Sequence, residues 1–503
     1  MDYIRKHKEV IWLLAIVVIS ALCIRMWGIG RSTATGAHNK TEQPAPTPLN
    51  HLITNSMSDS VQTRKFDAAI GRFMRYWGIK GGSFALMRND SLIYAKGYGY
   101  ANIEDSTACE VKHIFRIASV SKLITAVAVM RLCESGKITP QSQVFGVDGI
   151  LNDSIFLNCR DKKISKVTVE HLLRHKGGFA NPHGDAAFNR DLVARYLDKE
   201  LPLSMDDMVE YATKIRLRAR PGEWFDYSNL GYIVLSKVIE KVSGMPYHKY
   251  VKDSVLAPIG CHDIHLAENY CCGFRENEVS YYEVKEAEPV PSYDGCDSLV
   301  MKSLGGNDVH GLYGAGGWVA SPVELAKLVA AINTHPGRES FLSQESIEFM
   351  TPLGKYERPA GWSSITSREW HRTGSMSGTS AMVKVYKTKG GSAPDGYDHY
   401  CWVFISNSSS WNGPQLSRQM NRSITRAMER VKEWPKVDLF ELEQYAYNQQ
   451  AERERLGESD TRISPVPYDI ASDIAVWYDT KTPMMNGTQY SFSDNRIIEG
   501  NSK

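Results

Sequence analysis

Apolar residues first recur with a helical period at Phe66, Ile70, Phe73, Met74 and Trp77, which share one face of a helix. Gly78, Gly81 and Gly82 end that pattern. Residues 83–87 and 92–100 then alternate as strands about Arg88-Asn89-Asp90, a hairpin turn. The order is mirrored near the other end. β-rich runs at 381–386 and 400–406 precede a helix over 415–434, with Leu416, Met420, Ile424, Ala427 and Val431 on one face. Strands from both ends of the chain can therefore join one sheet beneath two terminal helices. The middle, residues 120–350, reads mostly as helix and loop. One helix start is marked there by Ser321-Pro322-Val323-Glu324, a capping box with proline at the first helical position, continued by Leu325, Leu328, Val329 and Ile332. The pattern predicts an α+β fold, an antiparallel sheet flanked by terminal helices plus a largely helical inserted domain. It contains no internal repeat.

The N-terminus changes the picture of where this body sits. Arg5, Lys6 and Lys8 precede residues 10–24, fifteen positions without a charge; Arg25 interrupts before Trp27 and Ile29 resume the run. A basic flank, an apolar run and a polar linker form an export signature. Ala21-Leu22-Cys23 is a poor cleavage site, and the run is short for a span unless Trp27 and Ile29 extend it. Residues 1–30 are expected to be a signal-anchor or a signal peptide, with the anchor favoured and the body held outside the cytoplasm, on the periplasmic or extracellular face. Residues 31–59, with Pro44, Pro46 and Pro48, read as a polar linker. The body is expected over 60–434. Residues 435–503 hold 7 basic and 12 acidic residues, net −5, and read as an acidic tail that wraps the body or is partly disordered.

Composition excludes some classes. Apolar residues make up 42% of 503 and charged residues 23%, which rules out wholesale disorder and a polytopic membrane protein. The balance of 59 basic and 57 acidic residues gives no electrostatic reason to invoke nucleic acid. Of nine cysteines, Cys23 lies in the apolar run; the other eight can form disulfides in an exported chain, with pairing unreadable from sequence. Cys261, His262, His265, Cys271 and Cys272 cluster in sequence but fit no zinc spacing, so the cysteines there read as structural or disulfide-forming.

The candidate chemistry lies in three stretches. Ser119 and Lys122 form the chain's one S-x-x-K, at the head of a helix expected over 119–134. Residues three apart share a helix face, so the lysine amine can reach the serine hydroxyl and take its proton. Burial lowers a lysine pKa and keeps the amine neutral often enough for that task. Tyr227-Ser228-Asn229 then stands at a loop–helix junction, where the phenol can shuttle protons and the Asn229 amide can meet both substrate and lysine. The third stretch is His371-Arg372-Thr373-Gly374-Ser375, leading into a strand whose edge can pair with a substrate backbone. There Arg372 can hold a carboxylate and the Ser375 N–H can serve an oxyanion. No G-x-S-x-G elbow competes for the nucleophile.

In this order the three stretches resemble the penicillin-recognising serine hydrolases, with the class C β-lactamase, DD-peptidase and related esterase group the nearest. Residues 168–178, 226–244 and 315–332 resemble further segments of that family, and the likeness spans residues 60–434. The resemblance implies a β-lactamase/transpeptidase-like fold and an acyl-enzyme at Ser119. It makes Lys122 the base, with Tyr227 assisting. Asn229, Arg372, Thr373, Gly374 and Ser375 become substrate-binding, and the Ser119 and Ser375 N–H groups form the oxyanion hole. It implies no metal or organic cofactor. The partner is a small-molecule or peptide substrate, with cell-wall peptide, ester, amide and β-lactam all open.

Two departures stand out. Arg372 occupies a place usually held by lysine or histidine, with His371 as the alternative occupant, and Lys176-Gly177 replaces a small hydroxyl pair after His175, which reads as structural. A catalytically weak penicillin-binding or sensing module of the same fold is the alternative to an enzyme, and a membrane-anchored scaffold a third reading.

Overall fold

The computed structural model describes residues 46–448, apart from 180–183, 333–339, 355–356, 392–394 and 447. The expected signal-anchor, most of the linker and residues 449–503 of the expected tail lie outside the described residues. The described residues from Thr47 onward form one unit.

Helix α1 (Arg64–Trp77) ends at Gly78 in the left-handed region, φ 68°. Strands β1 (Gly81–Arg88) and β2 (Ser91–Asn102) follow, joined at Asn89 and Asp90, with φ of 51° and 62°. Those are the positive values a two-residue hairpin turn needs, and Asn and Asp tolerate them best among residues with a Cβ. Strand β3 (Thr107–Ala108) completes this edge. After the insert come β4 (Ser364–Ile365), β5 (Glu369–Met376), β6 (Thr379–Lys389) and β7 (Tyr397–Ser406). The seven strands run in the order β3-β2-β1-β7-β6-β5-β4, every pairing antiparallel. The two ends of the chain meet at the sheet centre, where Gly82 opposes Ser406 and Arg88 opposes Tyr400.

Period-two alternation gives the sheet two apolar faces. Phe84, Leu86, Tyr94, Met382, Trp402 and Phe404 lie under α1 and the helix that follows β7, with Phe66, Ile70, Phe73, Leu416, Met420 and Ile424 closing that layer. Ala85, Ala95, Val383, Val403 and Ile405 belong to the larger core, shared with three helices of the insert. These are α2 (Ser121–Glu134), α3 (Asn229–Ser243) and α4 (Pro322–Ala331). Nearly every side chain of α2 is buried, including Lys122, so this helix runs through the core.

Several boundaries differ from the sequence reading. The helix expected over 415–434, α5, spans Gly413–Met428 and ends earlier. Two tighter turns follow it, from Arg430 N–H to the Ala427 carbonyl and from Val431 N–H to the Met428 carbonyl, and Val431 and Trp434 still reach the same apolar layer. The packed body extends past both expected limits. Leu49, Leu52 and Ile53 are buried before residue 60, and Val437, Leu439, Leu442 and Ala446 after 434. The Leu439 N–H bonds the Leu92 carbonyl and Asp438 accepts from the Leu92 N–H, so the tail's first segment is pinned to β2. Only half of the expected capping box forms. Ser321 accepts from the Glu324 N–H, but the Glu324 carboxylate turns away to the N–H groups of His262 and Asp263. The insert also holds a three-stranded sheet of Phe115–Arg116, Trp318–Ala320 and His265–Leu266, which the helix-and-loop reading did not contain.

Candidate active site

The backbone turns sharply just before α2. Ala118 adopts φ 47°, and Ala118–Val120 form a single 3₁₀ turn ahead of the helix. Ser119 therefore sits one turn before α2, on that turn, and not on the helix expected from residue 119. Positive φ is rare for a residue with a Cβ and accompanies a side chain aimed by its backbone.

Ser119 Oγ lies 2.7 Å from the Tyr227 hydroxyl, and Lys122 Nζ donates to the same Oγ at 3.2 Å. The other two amine donors are also engaged, by Asn229 Oδ1 at 2.6 Å and by the Ala315 carbonyl in a short bond. Nζ further sits 4.9 Å from the Tyr227 ring centre and 5.4 Å from that of Tyr232. Burial lowers the Lys122 pKa to about 8, the neighbouring Arg372 charge adding to that effect. Burial alone pushes the Tyr227 phenol up, but the positive charges of Lys122 and Arg372, with the hydrogen bond to Ser119, bring it down to about 7.

Arg372 is not free to hold a substrate carboxylate. It is 2% exposed; its Nε donates to the Ser119 carbonyl at 2.7 Å and its Nη2 to the Tyr227 hydroxyl at 3.1 Å. Alternation along β5 puts Arg372 and Gly374 on the nucleophile's side and His371 on the other. Arg372, not His371, thus fills the third stretch's position beside the nucleophile. Gly374 is needed for close approach, since a Cβ there would lie 2.3 Å from the Ile117 carbonyl oxygen and 3.0 Å from the Ser119 nitrogen. The next residue, Ser375, is exposed, and Thr373 is half-buried.

Asn229 is likewise committed. It is the first residue of α3, behind the Ser228 cap, gives its carbonyl to Lys122, and donates Nδ2 to Asp185 Oδ2 at 2.6 Å. Asp185 thereby fixes which end of the amide faces the amine. Sequence reasoning missed it: it stands 44 positions from Asn229 in a loop without pattern. His175 is buried at φ 56°, accepts at Nδ1 from the Ser228 N–H at 3.2 Å, and stacks on Tyr227 with ring centres 4.4 Å apart. Burial, with repulsion from Lys122 and Arg372, holds its pKa well below the usual value, so it acts as a neutral brace for the Tyr227 loop.

A family model described as Beta-lactamase matches residues 66–425. The chain belongs to the beta-lactamase family. The putative penicillin-binding protein PbpX of Bacillus subtilis (strain 168) is 23% identical over 384 residues, covering 71% of this chain and 83% of PbpX. Two solved structures share the family fold with it. The octameric penicillin-binding protein homologue from Pyrococcus abyssi superposes with a TM-score of 0.53 at 23% identity, over 72% of this chain and 77% of that one. D-amino acid amidase from Ochrobactrum anthropi SV3, complexed with L-phenylalanine amide, gives 0.55 at 19% identity, over 74% and 99%.

Among the described residues no group of three His, Cys, Asp or Glu side chains is arranged to hold a metal ion. The eight described cysteines are all unpaired; Cys261 is buried with its thiol on the Glu324 carbonyl, and Cys271 and Cys272 are exposed. No described helix is long and apolar enough to cross a membrane; the N-terminal apolar run lies outside the described residues.

Proposed function

We propose that the protein is a serine hydrolase that forms an acyl-enzyme at Ser119. The observation carrying this reading is the 2.7 Å contact between Ser119 Oγ and a phenol held near pKa 7 by two buried cations. With Tyr227 lowered to about 7 and Lys122 to about 8, phenolate beside ammonium is substantially populated near neutral pH. Ser119 O–H then donates to the phenolate while the ammonium holds Oγ from the other side. As Oγ attacks an acyl carbonyl, its proton passes to Tyr227 and the carbonyl oxygen takes up negative charge against the N–H groups of Ser119 and Ser375. Collapse breaks the acyl–leaving-group bond, and Tyr227 returns the proton to the departing amine or alkoxide. Water repeats the sequence on the acyl-enzyme, releasing the acid and restoring Ser119 O–H. The family resemblance makes Lys122 the base with Tyr227 assisting; the reverse is favoured here because all three ammonium donors are occupied.

The substrate class follows from the surroundings. Trp224, Phe225 and Tyr227 are 70%, 44% and 37% exposed along the run that leads to the phenol, an apolar wall for an acyl donor's side chain. Amides, peptides and esters of D-amino acids fit this reading, in line with the D-amino acid amidase that shares the fold. With the N-terminal run as anchor, the body works outside the cytoplasm. The test is turnover of an activated ester and of a D-phenylalanine amide. Ser119→Ala is expected to abolish both and Tyr227→Phe to slow both at least about 100-fold; parent-like rates in Ser119→Ala reject the proposal.

A further inference from the structure

The sheet face opposite the nucleophile carries a second feature. Helices α1 and α5 lie there side by side over the apolar layer described above, and their outward sides are cationic. Arg418, Arg422 and Arg426 are exposed at successive i, i+4 positions of α5, and Arg430 continues the row just past the helix end. The row is about 18 Å long at 1.5 Å per residue. On α1, Arg72 and Arg75 are exposed beside it. Helix α5 contains no acidic residue. The one in α1, Asp67, is turned inward to Tyr94, Tyr98 and Lys96. Glu429 and Glu433 are the exposed acids at the far end, Glu433 being 3.5 Å from Lys436. Like charges at i, i+4 oppose one another, so a row of arginines without interleaved acids weakens its own helix unless something anionic covers it. The chain as a whole is only +2, so this charge is concentrated on one face.

One end of the same face carries two exposed aromatic residues. Tyr76, in the last turn of α1, is 73% exposed; Trp411, just before α5, is 62% exposed and stacked on Trp77 with ring centres 5.1 Å apart. Amphipathic rings of this kind settle at the headgroup level of a bilayer, where one edge is wet and the other apolar. A flat cationic helical face with aromatic anchors at its edge matches an anionic lipid surface better than a groove-shaped polyanion. We propose that the outward face of α1 and α5 is a docking surface for an anionic bilayer. Docking there leaves the Ser119 side of the sheet turned to the aqueous phase.

The test uses the full chain and its flotation with vesicles of phosphatidylcholine alone or of phosphatidylcholine and phosphatidylglycerol in about a three-to-one ratio. An N-terminal apolar run inserts into both, so the difference between compositions is the readout. The parent is expected to partition at least about tenfold more strongly onto the anionic vesicles, and half-molar salt to erase the difference. R418Q/R422Q/R426Q is expected to lose most of that preference while keeping the parent's melting temperature and ester turnover. Equal partition of the parent onto both vesicles overturns the proposal, as does full preference retained by the triple variant. Retention on heparin without any vesicle preference overturns it too, and assigns the face to a soluble polyanion.

Discussion

Replacing Arg372 by glutamine removes one of the two cations that lower the Tyr227 pKa while keeping a shorter hydrogen-bonding side chain. In the structure Nη2 is 3.1 Å from the phenol oxygen and the guanidinium carbon is 5.8 Å from the ring centre. A unit charge about 4 Å away contributes about 1 kcal/mol in water and about 4 kcal/mol at the dielectric of a protein surface. Tyr227 is 37% exposed, which places the effect toward the lower limit. At about 1.4 kcal/mol per unit, the phenol is expected to rise by about one unit from its present value of about 7. The sign follows directly: losing a positive neighbour disfavours the phenolate, so the working form appears only at higher pH. The assay is kcat/KM for an activated ester across pH 5.5 to 9.5. The parent's acidic limb is expected near pH 7 and that of Arg372→Gln near pH 8, with Arg372→Lys between them because it keeps the charge but not the fork. Loss of the bond from Nε to the Ser119 carbonyl also lowers the plateau, but such damage moves height and not inflection. A variant that still turns over with its inflection unmoved refutes the electrostatic account of Tyr227.

Further outcomes follow from the same contacts. Gly374→Ala places a Cβ against the Ile117 carbonyl oxygen and the Ser119 nitrogen, so turnover is expected to fall at least about 100-fold while calorimetry shows a native-like transition. Asp185→Ala frees the Asn229 amide to rotate; a kcat loss of about tenfold with little change in KM, largely rescued by Asp185→Glu, is the expected signature of a positioning residue. Tyr232→Phe strips partners from the Leu173 carbonyl and the Gly361 N–H, both bonded to its buried hydroxyl, and is expected to cost about 1–3 kcal/mol in chemical denaturation.

The parts legible in the sequence are those written in local periodicity. The alternation of 83–87 and 92–100 and the i, i+4 stripe of α1 appear as β1, β2 and α1 because each pattern serves a single apolar layer. The three stretches that resemble family motifs converge on Ser119 because strand β5 runs past, and helix α3 begins beside, the turn at Ala118. What sequence reading lost was set by distant partners. Glu324 had the right spacing for a capping box, yet two backbone N–H groups some sixty positions away hold its carboxylate. Asp185 carries no local signal, since its partner is reached only through the fold. Arg372 looked like an open carboxylate fork because nothing in a linear motif states that its strand passes within reach of both Tyr227 and the Ser119 carbonyl. Residues 437–446 read as tail by charge, although four apolar positions in them are buried in the core.

Covalent capture of the acyl-enzyme tests the central claim most directly. The full chain, mixed with an activated ester or penicillin and quenched in acid within the first turnover, is measured as intact mass and then mapped by peptide fragmentation. The account predicts one acyl addition, located on Ser119, and none in Ser119→Ala. An adduct on another residue, or turnover with no adduct and no loss in Ser119→Ala, contradicts it.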